Sequence, residues 1–185
     1  MDNLVALIKE LSEDPFNPAL NYEVANEYLA LGQSASAVSF FLRCAEYGEQ
    51  GILVYGSLCQ IARCFDSQTN REYSVSNTLL QAIALDDSRP EAYFLLSQFH
   101  ERQRQWQECY TFATLGKRYG SNKMRNLSVG YLGEYCFDFE LAVAAYWIGR
   151  RDESFNLFKK LDAMEIAPEY REAVKSNLEK LNAGF

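Results

Sequence analysis

Apolar residues recur every three or four positions on both sides of a short polar break between residues 17 and 47. These positions are Leu20, Val24, Tyr28 and Leu31 before the break, and Ala37, Val38, Phe41 and Ala45 after it. The spacing puts each set on one face of a helix. The pattern therefore predicts a helical hairpin that begins at Asn17, a favourable N-cap residue, with Pro18 at the first helical position.

The same pattern recurs three more times, imperfectly. The predicted hairpins span about residues 17–48, 52–86, 88–119 and 134–164. Each first helix carries a small residue where the two helices must approach closely, and these residues are Ala25, Ala62, Ser97 and Ala142. Their first two intervals are close to the roughly 34-residue period of tetratricopeptide repeats, and the third contains an insertion between Gly120 and Gly133. Ser88 with Glu91 three residues later predicts a capping box at the third hairpin.

Two further amphipathic segments flank the hairpins. Their apolar stripes are Leu4, Leu7, Ile8 and Leu11 at the start, and Tyr170, Val174, Leu178 and Leu181 at the end. Capping helices with a polar outer face are what repeat arrays require for solubility. We therefore expect a single all-α domain over residues 1–185, a right-handed α-α superhelix of about four hairpins between an N-terminal cap (1–14) and a C-terminal cap (168–182).

Composition limits the class of protein. The chain is 48% hydrophobic and 23% charged, as is typical of globular domains, and no apolar run approaches the roughly 20 residues that span a bilayer. The formal net charge of −7 argues against nucleic-acid binding, which needs a basic face. Five cysteines without a C-x-x-C spacing indicate reduced core residues. We expect a cytoplasmic protein without membrane insertion.

No catalytic or metal-binding constellation is evident in the sequence. His100 is the only histidine, and no local pattern gives it a nucleophile and an orienting group. A packing or helix-surface role is therefore the expectation for His100. Metal-ligand spacings and phosphate-binding glycine motifs are absent from the sequence. We expect no catalytic residue, no metal and no cofactor.

A binding surface is the better candidate for function. In stacked hairpins, the first helices line a concave groove. Residues that lie off the packing stripe on these helices recur in register, and the candidate binding residues are Tyr22, Asn26, Arg63, Phe94, Gln98, Glu101, Phe139 and Tyr146. Aromatic, amide and charged groups together suit an extended peptide or a sugar chain. The alternative for Phe94, Phe139 and Tyr146 is burial in the core.

Four segments carry a more specific resemblance. They are residues 13–50, 55–65, 88–106 and 139–161, and they include Asp14-Pro15, the run from Arg89 to Tyr93, and Ala144-Ala145-Tyr146-Trp147. The sequence resembles the tetratricopeptide-like helical region that follows the catalytic domain in some family 2 glycosyltransferases, from about Leu4 to Leu181.

The resemblance implies a supporting role and not the transfer reaction. The catalytic domain of those enzymes has an α/β nucleotide-sugar fold with an Asp-x-Asp metal site, and this sequence contains no Asp-x-Asp. The implied function is a non-catalytic scaffold for protein–protein interaction, whose partner is a protein such as a glycosyltransferase domain. The alternative is an accessory region that holds a carbohydrate acceptor, with glycan as the ligand. A free-standing protein and the helical part of a larger enzyme are both compatible with the sequence.

Overall fold

The computed structural model describes residues 2–49, 51–68, 70–121 and 127–182. Over these ranges the secondary structure consists of ten α-helices without a strand. They are α1 (Asp2–Glu13), α2 (Pro18–Ala30), α3 (Ser34–Tyr47), α4 (Ile52–Asp66), α5 (Glu72–Leu85), α6 (Pro90–Arg102), α7 (Trp106–Lys117), α8 (Tyr135–Trp147), α9 (Arg151–Asp162) and α10 (Pro168–Asn182). The predicted all-α fold is confirmed.

The helices form two compact units, Met1–Asp87 and Ser88–Phe185. In the first unit, α2 pairs with α3 and α4 pairs with α5, α3 packs on α4, and α1 lies against α2. In the second unit, α6 pairs with α7 and α8 pairs with α9, α7 packs on α8, and α10 lies against α9. The four pairs coincide with the four predicted hairpins. The single-domain organisation stays a prediction.

The first hairpin begins as its sequence predicts. Asn17 precedes α2, and its Oδ1 accepts hydrogen bonds from the backbone N–H groups of Ala19 at 3.0 Å and Leu20 at 3.2 Å. Pro18 occupies the first turn, where its missing N–H leaves no hydrogen bond unmade. These groups fix where α2 starts.

The third hairpin begins differently from its prediction. Arg89 is the N-cap residue of α6, and its side chain makes no capping hydrogen bond. Glu91 pairs instead with Arg89, whose Nη2 lies 2.6 Å from Glu91 Oε1, and both side chains are buried. The predicted capping box with Ser88 is wrong, because the Glu91 carboxylate belongs to this internal ion pair.

Small residues occupy buried positions on the first helix of each hairpin. Ala25, Ala62, Ser97 and Ala142 are all buried, as their repeat positions predict. Gly116 on α7 is a further close-approach residue, because a Cβ there would lie 2.5 Å from the Phe137 ring and 2.6 Å from Tyr93 Cβ. The second unit therefore has no room for a larger residue at this point.

Replacing Gly116 with alanine should lower the free energy of unfolding by about 1–3 kcal/mol, because overpacking costs more than the helix propensity of alanine returns. Urea denaturation measures the difference. Thr114→Ala, at an exposed position of the same helix, is the control and should leave stability within about 0.5 kcal/mol of the parent. Equal stability of the two variants would contradict the tight packing at Gly116.

The described part of the insertion between α7 and α8 folds back on the second unit. The Tyr131 hydroxyl donates a hydrogen bond to the Gly120 carbonyl at 2.7 Å. The buried Tyr131 ring lies 5.5 Å from the Phe94 ring and 5.3 Å from the Phe137 ring, between centroids. Residues 122–126 of the insertion lie outside the described residues. Tyr131 thus adds an aromatic side chain to the core from outside the hairpin pattern.

Of the helices in the described ranges, none combines the length and the apolar composition that a bilayer crossing requires.

Candidate functional site

Three of the predicted binding residues lie in the first unit, on α2 and α4. Tyr22 is half-buried, and its ring meets Phe41 edge to face with centroids 5.5 Å apart. The Asn26 amide donates to the Tyr22 carbonyl at 2.9 Å, and the exposed Arg63 donates to Gln60 Oε1 at 2.9 Å. These polar groups have partners within their own unit, and their role in binding stays a prediction.

Phe94, in the second unit, does not face a groove. Its side chain is 1% exposed, and the rings of Tyr131 and Phe137 pack against it. The core alternative is therefore the one that the structure supports for Phe94, and the binding assignment needs correction. The physical reason is the insertion, since Tyr131 covers a position that the hairpin pattern alone leaves open.

Phe139 joins α8 to the beginning of α10. Its half-buried ring lies edge to face against Phe158, at 5.9 Å, and against Tyr170, at 5.1 Å. Tyr135, one turn earlier, also meets Tyr170 edge to face at 5.4 Å. These aromatic contacts close the space between α8 and α10 at the N-terminal ends of both helices.

Beyond this closure, α8 and α10 enclose a pocket of about 410 Å³, and Phe158 of α9 completes its wall. Its walls are Val143, Tyr146, Trp147, Phe158, Asn177, Lys180 and Leu181. The walls are almost entirely apolar, and the Asn177 amide is engaged by its own helix, since it donates to the Ala173 carbonyl at 2.9 Å. The volume falls within the range of roughly 300–1,000 Å³ that is usual for ligand pockets. Tyr146 is the predicted binding residue that lines it.

An exposed aromatic surface adjoins the pocket. Trp147 is 58% exposed and stacks on Trp106, with ring centroids 5.2 Å apart and planes 14° from parallel. The Tyr146 ring lies edge to face against the Trp147 ring, with centroids 5.3 Å apart and planes at 86° to each other. A large exposed aromatic group beside an apolar pocket is typical of contact surfaces.

Gln98 and Glu101, two further predicted binding residues, are half-buried on α6 near the carboxyl group of Glu140. Burial, together with the charge of Glu101, raises the pKa of Glu140 to about 8, and a hydrogen bond from Gln98 opposes this shift. Cys109 Sγ lies 3.8 Å from Glu140 Oε2, and burial also raises the pKa of this thiol. Glu140 is therefore mostly neutral at pH 7, inside the second unit.

His100 has the packing role that its position favours. Its Nδ1 lies 2.6 Å from Gln105 Oε1, and its ring stacks on Phe112 with centroids 5.3 Å apart and planes 3° from parallel. Phe99 contacts the ring at 67°. Within the described ranges, no three histidine, cysteine or acidic residues are grouped so that they could hold a metal ion.

Comparison with solved structures identifies the type of fold, although the sequence comparisons found no match. No protein-family model matches the sequence, and no curated protein matches it. Among solved structures, MamA superimposes with a TM-score of 0.68 at 16% identity, over 94% of this chain and 89% of that one. A thermophilic TPR protein of Thermus thermophilus superimposes with a TM-score of 0.63 at 12% identity, over 97% and 89%. The fold is a tetratricopeptide-type (TPR) helical repeat.

Another TPR protein, YrrB, superimposes with a TM-score of 0.66 at 12% identity, over 94% of this chain and 81% of that one. It is described as having an unusual peptide-binding site. At identities this low, the likeness concerns the TPR fold alone.

Sequence reasoning missed most of the pocket in this TPR-type chain. Trp147, Asn177 and Lys180 were not among the predicted binding residues, and Leu181 was assigned only to the apolar stripe of the C-terminal cap. The signal that could have found Trp147 is its position next to the predicted binding residue Tyr146. The α10 residues carry no such signal. The sequence shows which face of α10 is apolar, but it does not show where a gap remains between α10 and α8.

Proposed function

We propose that this chain is a protein-interaction module that seats an apolar side chain of its partner in the pocket between α8 and α10. The observation that carries the proposal is the open, almost entirely apolar pocket beside the exposed Trp147. A TPR-type fold supports it, because YrrB, with the same fold, is described as having a peptide-binding site.

The energetics favour an apolar anchor over a polar one. Full burial of a large apolar side chain contributes about 1.5–3 kcal/mol to the free energy of binding. A polar side chain would lose its hydrogen bonds to water and find no partner in the apolar walls. Tyr135, Phe139 and Tyr170 hold α8 against α10, so the pocket exists before a ligand arrives. Because the pocket is preformed, binding does not carry the entropic cost of ordering its side chains.

Selection from a displayed library of random 12-residue peptides tests this function. We expect the selected peptides to share a large aromatic or aliphatic residue. Val143→Glu, which puts a carboxylate into the pocket wall, should weaken their binding at least about tenfold. Trp106 and Trp147 are the only tryptophans of the chain and adjoin the pocket, so intrinsic fluorescence reports the affinity.

The matched control is Val5→Glu, which makes the same change at an exposed position of α1 and should leave affinity unchanged. Tyr146→Ala serves as a second pocket variant should Val143→Glu unfold, with circular dichroism checking the fold of each. Selected peptides that bind the pocket variants as tightly as the parent would contradict the proposal.

A carbohydrate ligand is the second candidate, favoured by the flat face of Trp147 on Trp106. In that case, the chain is the accessory acceptor-binding region of a family 2 glycosyltransferase, a link that rests on the sequence resemblance. The scarcity of polar groups in the pocket favours the peptide instead, because sugars need hydrogen-bond partners. Saturable binding of chitohexaose at Trp147, with no peptide selected, would favour the carbohydrate.

A further inference from the structure

Two cations flank the pocket, and neither forms an ion pair with an acidic side chain among the described residues. Lys180 lines the pocket from α10, and the guanidinium carbon of Arg151, on α9, lies 5.5 Å from the centroid of the Tyr146 ring. The ion pairs of the described residues include Lys117, Lys160, Arg89 and Arg150 but neither of these two.

Their sequence neighbours do not neutralise them. Asp152 follows Arg151 and Glu179 precedes Lys180, but adjacent residues of a helix point in different directions and do not face each other. At the i±3 and i±4 positions that do face Lys180, the described residues are Ser176 and Asn177, both uncharged. The pocket thus has an apolar interior and, beside it, two positive charges that no acidic residue in the described ranges pairs with, in a chain whose net charge is −7.

We propose that this pocket recognises an apolar side chain flanked by carboxylates, that is, an acidic segment of a partner protein with one buried anchor. The proposal rests on the proposed function and adds the charge of the partner. The anchor supplies affinity, and the carboxylates meet Lys180 and Arg151 and supply selectivity.

The acidic surface of the chain as a whole does not cancel this selectivity. Charges further away than about 8–10 Å are screened at physiological ionic strength, whereas Lys180 lines the pocket and Arg151 lies against the Tyr146 ring of its wall. Local attraction therefore decides which anchored segments stay bound. The net charge only slows the approach of an acidic partner.

Three capped tripeptides test the proposal on the full chain: Ac-Glu-Phe-Glu-NH₂, Ac-Gln-Phe-Gln-NH₂ and Ac-Lys-Phe-Lys-NH₂. Amide chemical shifts followed by NMR give each affinity at low salt. We expect the glutamate peptide to bind about fivefold more tightly than the lysine peptide, with the glutamine peptide between them. This ratio should shrink at about 1 M salt, where the screening length is roughly 3 Å.

Lys180→Met should remove much of the ratio between the glutamate and lysine peptides, and Lys180→Met with Arg151→Met should remove it all. Lys175→Met takes the same charge from the same helix outside the pocket lining and is the matched control, which should keep the ratio.

Equal binding of the three peptides, or a ratio that survives the double variant, overturns the acidic-partner proposal and leaves the proposed function standing. If no peptide shifts the pocket residues, both are overturned. A dimer in sedimentation velocity that Val143→Glu dissociates would show that a second copy of this chain fills the pocket, and it would also overturn the proposal.

Discussion

Asp138→Ala should lower the free energy of unfolding by about 3 kcal/mol. The Asp138 side chain is 2% exposed, and its two carboxylate oxygens bind Lys117 of α7 and Lys160 of α9, the latter at 2.6 Å. The hydrogen bond to Asp138 also raises the pKa of Lys160. Removing the carboxylate leaves two ammonium groups without their common partner, and breaking a buried pair typically costs about 3–5 kcal/mol.

The low end of that range applies because the lysines can turn toward water. Their side chains are 31% and 51% exposed, so neither charge is trapped in the interior. Glu153→Gln is the comparison, since Glu153 forms an exposed pair with Arg150 at 3.6 Å and should cost less than about 1 kcal/mol. Guanidinium denaturation measures the loss in free energy of unfolding for each variant. A loss for Asp138→Ala no larger than that for Glu153→Gln would contradict the role of Asp138 as the common partner of Lys117 and Lys160.

Glu140→Gln should flatten the pH dependence of stability. The pKa of Glu140 is about 8 in the folded chain against an ordinary value of 4.5, so between these pH values the folded state holds a proton that the unfolded state has released. The contribution of Glu140 to the free energy of unfolding is fully present below about pH 4.5. It falls as the pH rises and is lost above about pH 8. At 1.36 kcal/mol for each unit between the two pKa values, the accumulated loss is on the order of 5 kcal/mol.

Glutamine cannot ionise, and the variant should therefore gain stability over the parent as the pH rises from 5 to 8. Thermal unfolding across this range measures the gain. Glu140→Leu provides a second non-titrating side chain, which differs from glutamine in hydrogen bonding but should show the same pH trend relative to the parent. Parallel pH profiles of the parent and both variants would refute the raised pKa of Glu140.

The hairpins could be predicted from the sequence because each helix buries one face against its neighbour. A period of three to four residues shows that face, and Asn17 with Pro18 shows where a helix starts. The close-approach residues Ala25 and Ala142 followed from their repeat positions. The capping interaction at the start of α6 did not follow from the sequence pattern, because the Glu91 carboxylate forms an internal ion pair with Arg89.

The candidate site was less accessible to sequence reasoning, because it depends on contacts between distant segments. Phe94 was assigned to a groove, but Tyr131 of the insertion buries it. Asp138 and Glu140 fall on a buried part of α8, and only their partners on other helices explain why charged groups lie there. Tyr146 was placed in the binding surface by its repeat position, and it does line the pocket.

Methyl NMR of the chain with the neutral peptide Ac-Gln-Phe-Gln-NH₂ shows whether the pocket between α8 and α10 binds an apolar side chain, since this ligand separates the apolar anchor from charge. The methyl groups of Val143 and Leu181 face the pocket from α8 and α10. We expect saturable shifts of both, and none for the buried Val24 of the first unit. Unmoved Val143 and Leu181 methyls while the peptide binds elsewhere, or no binding at all, would contradict it.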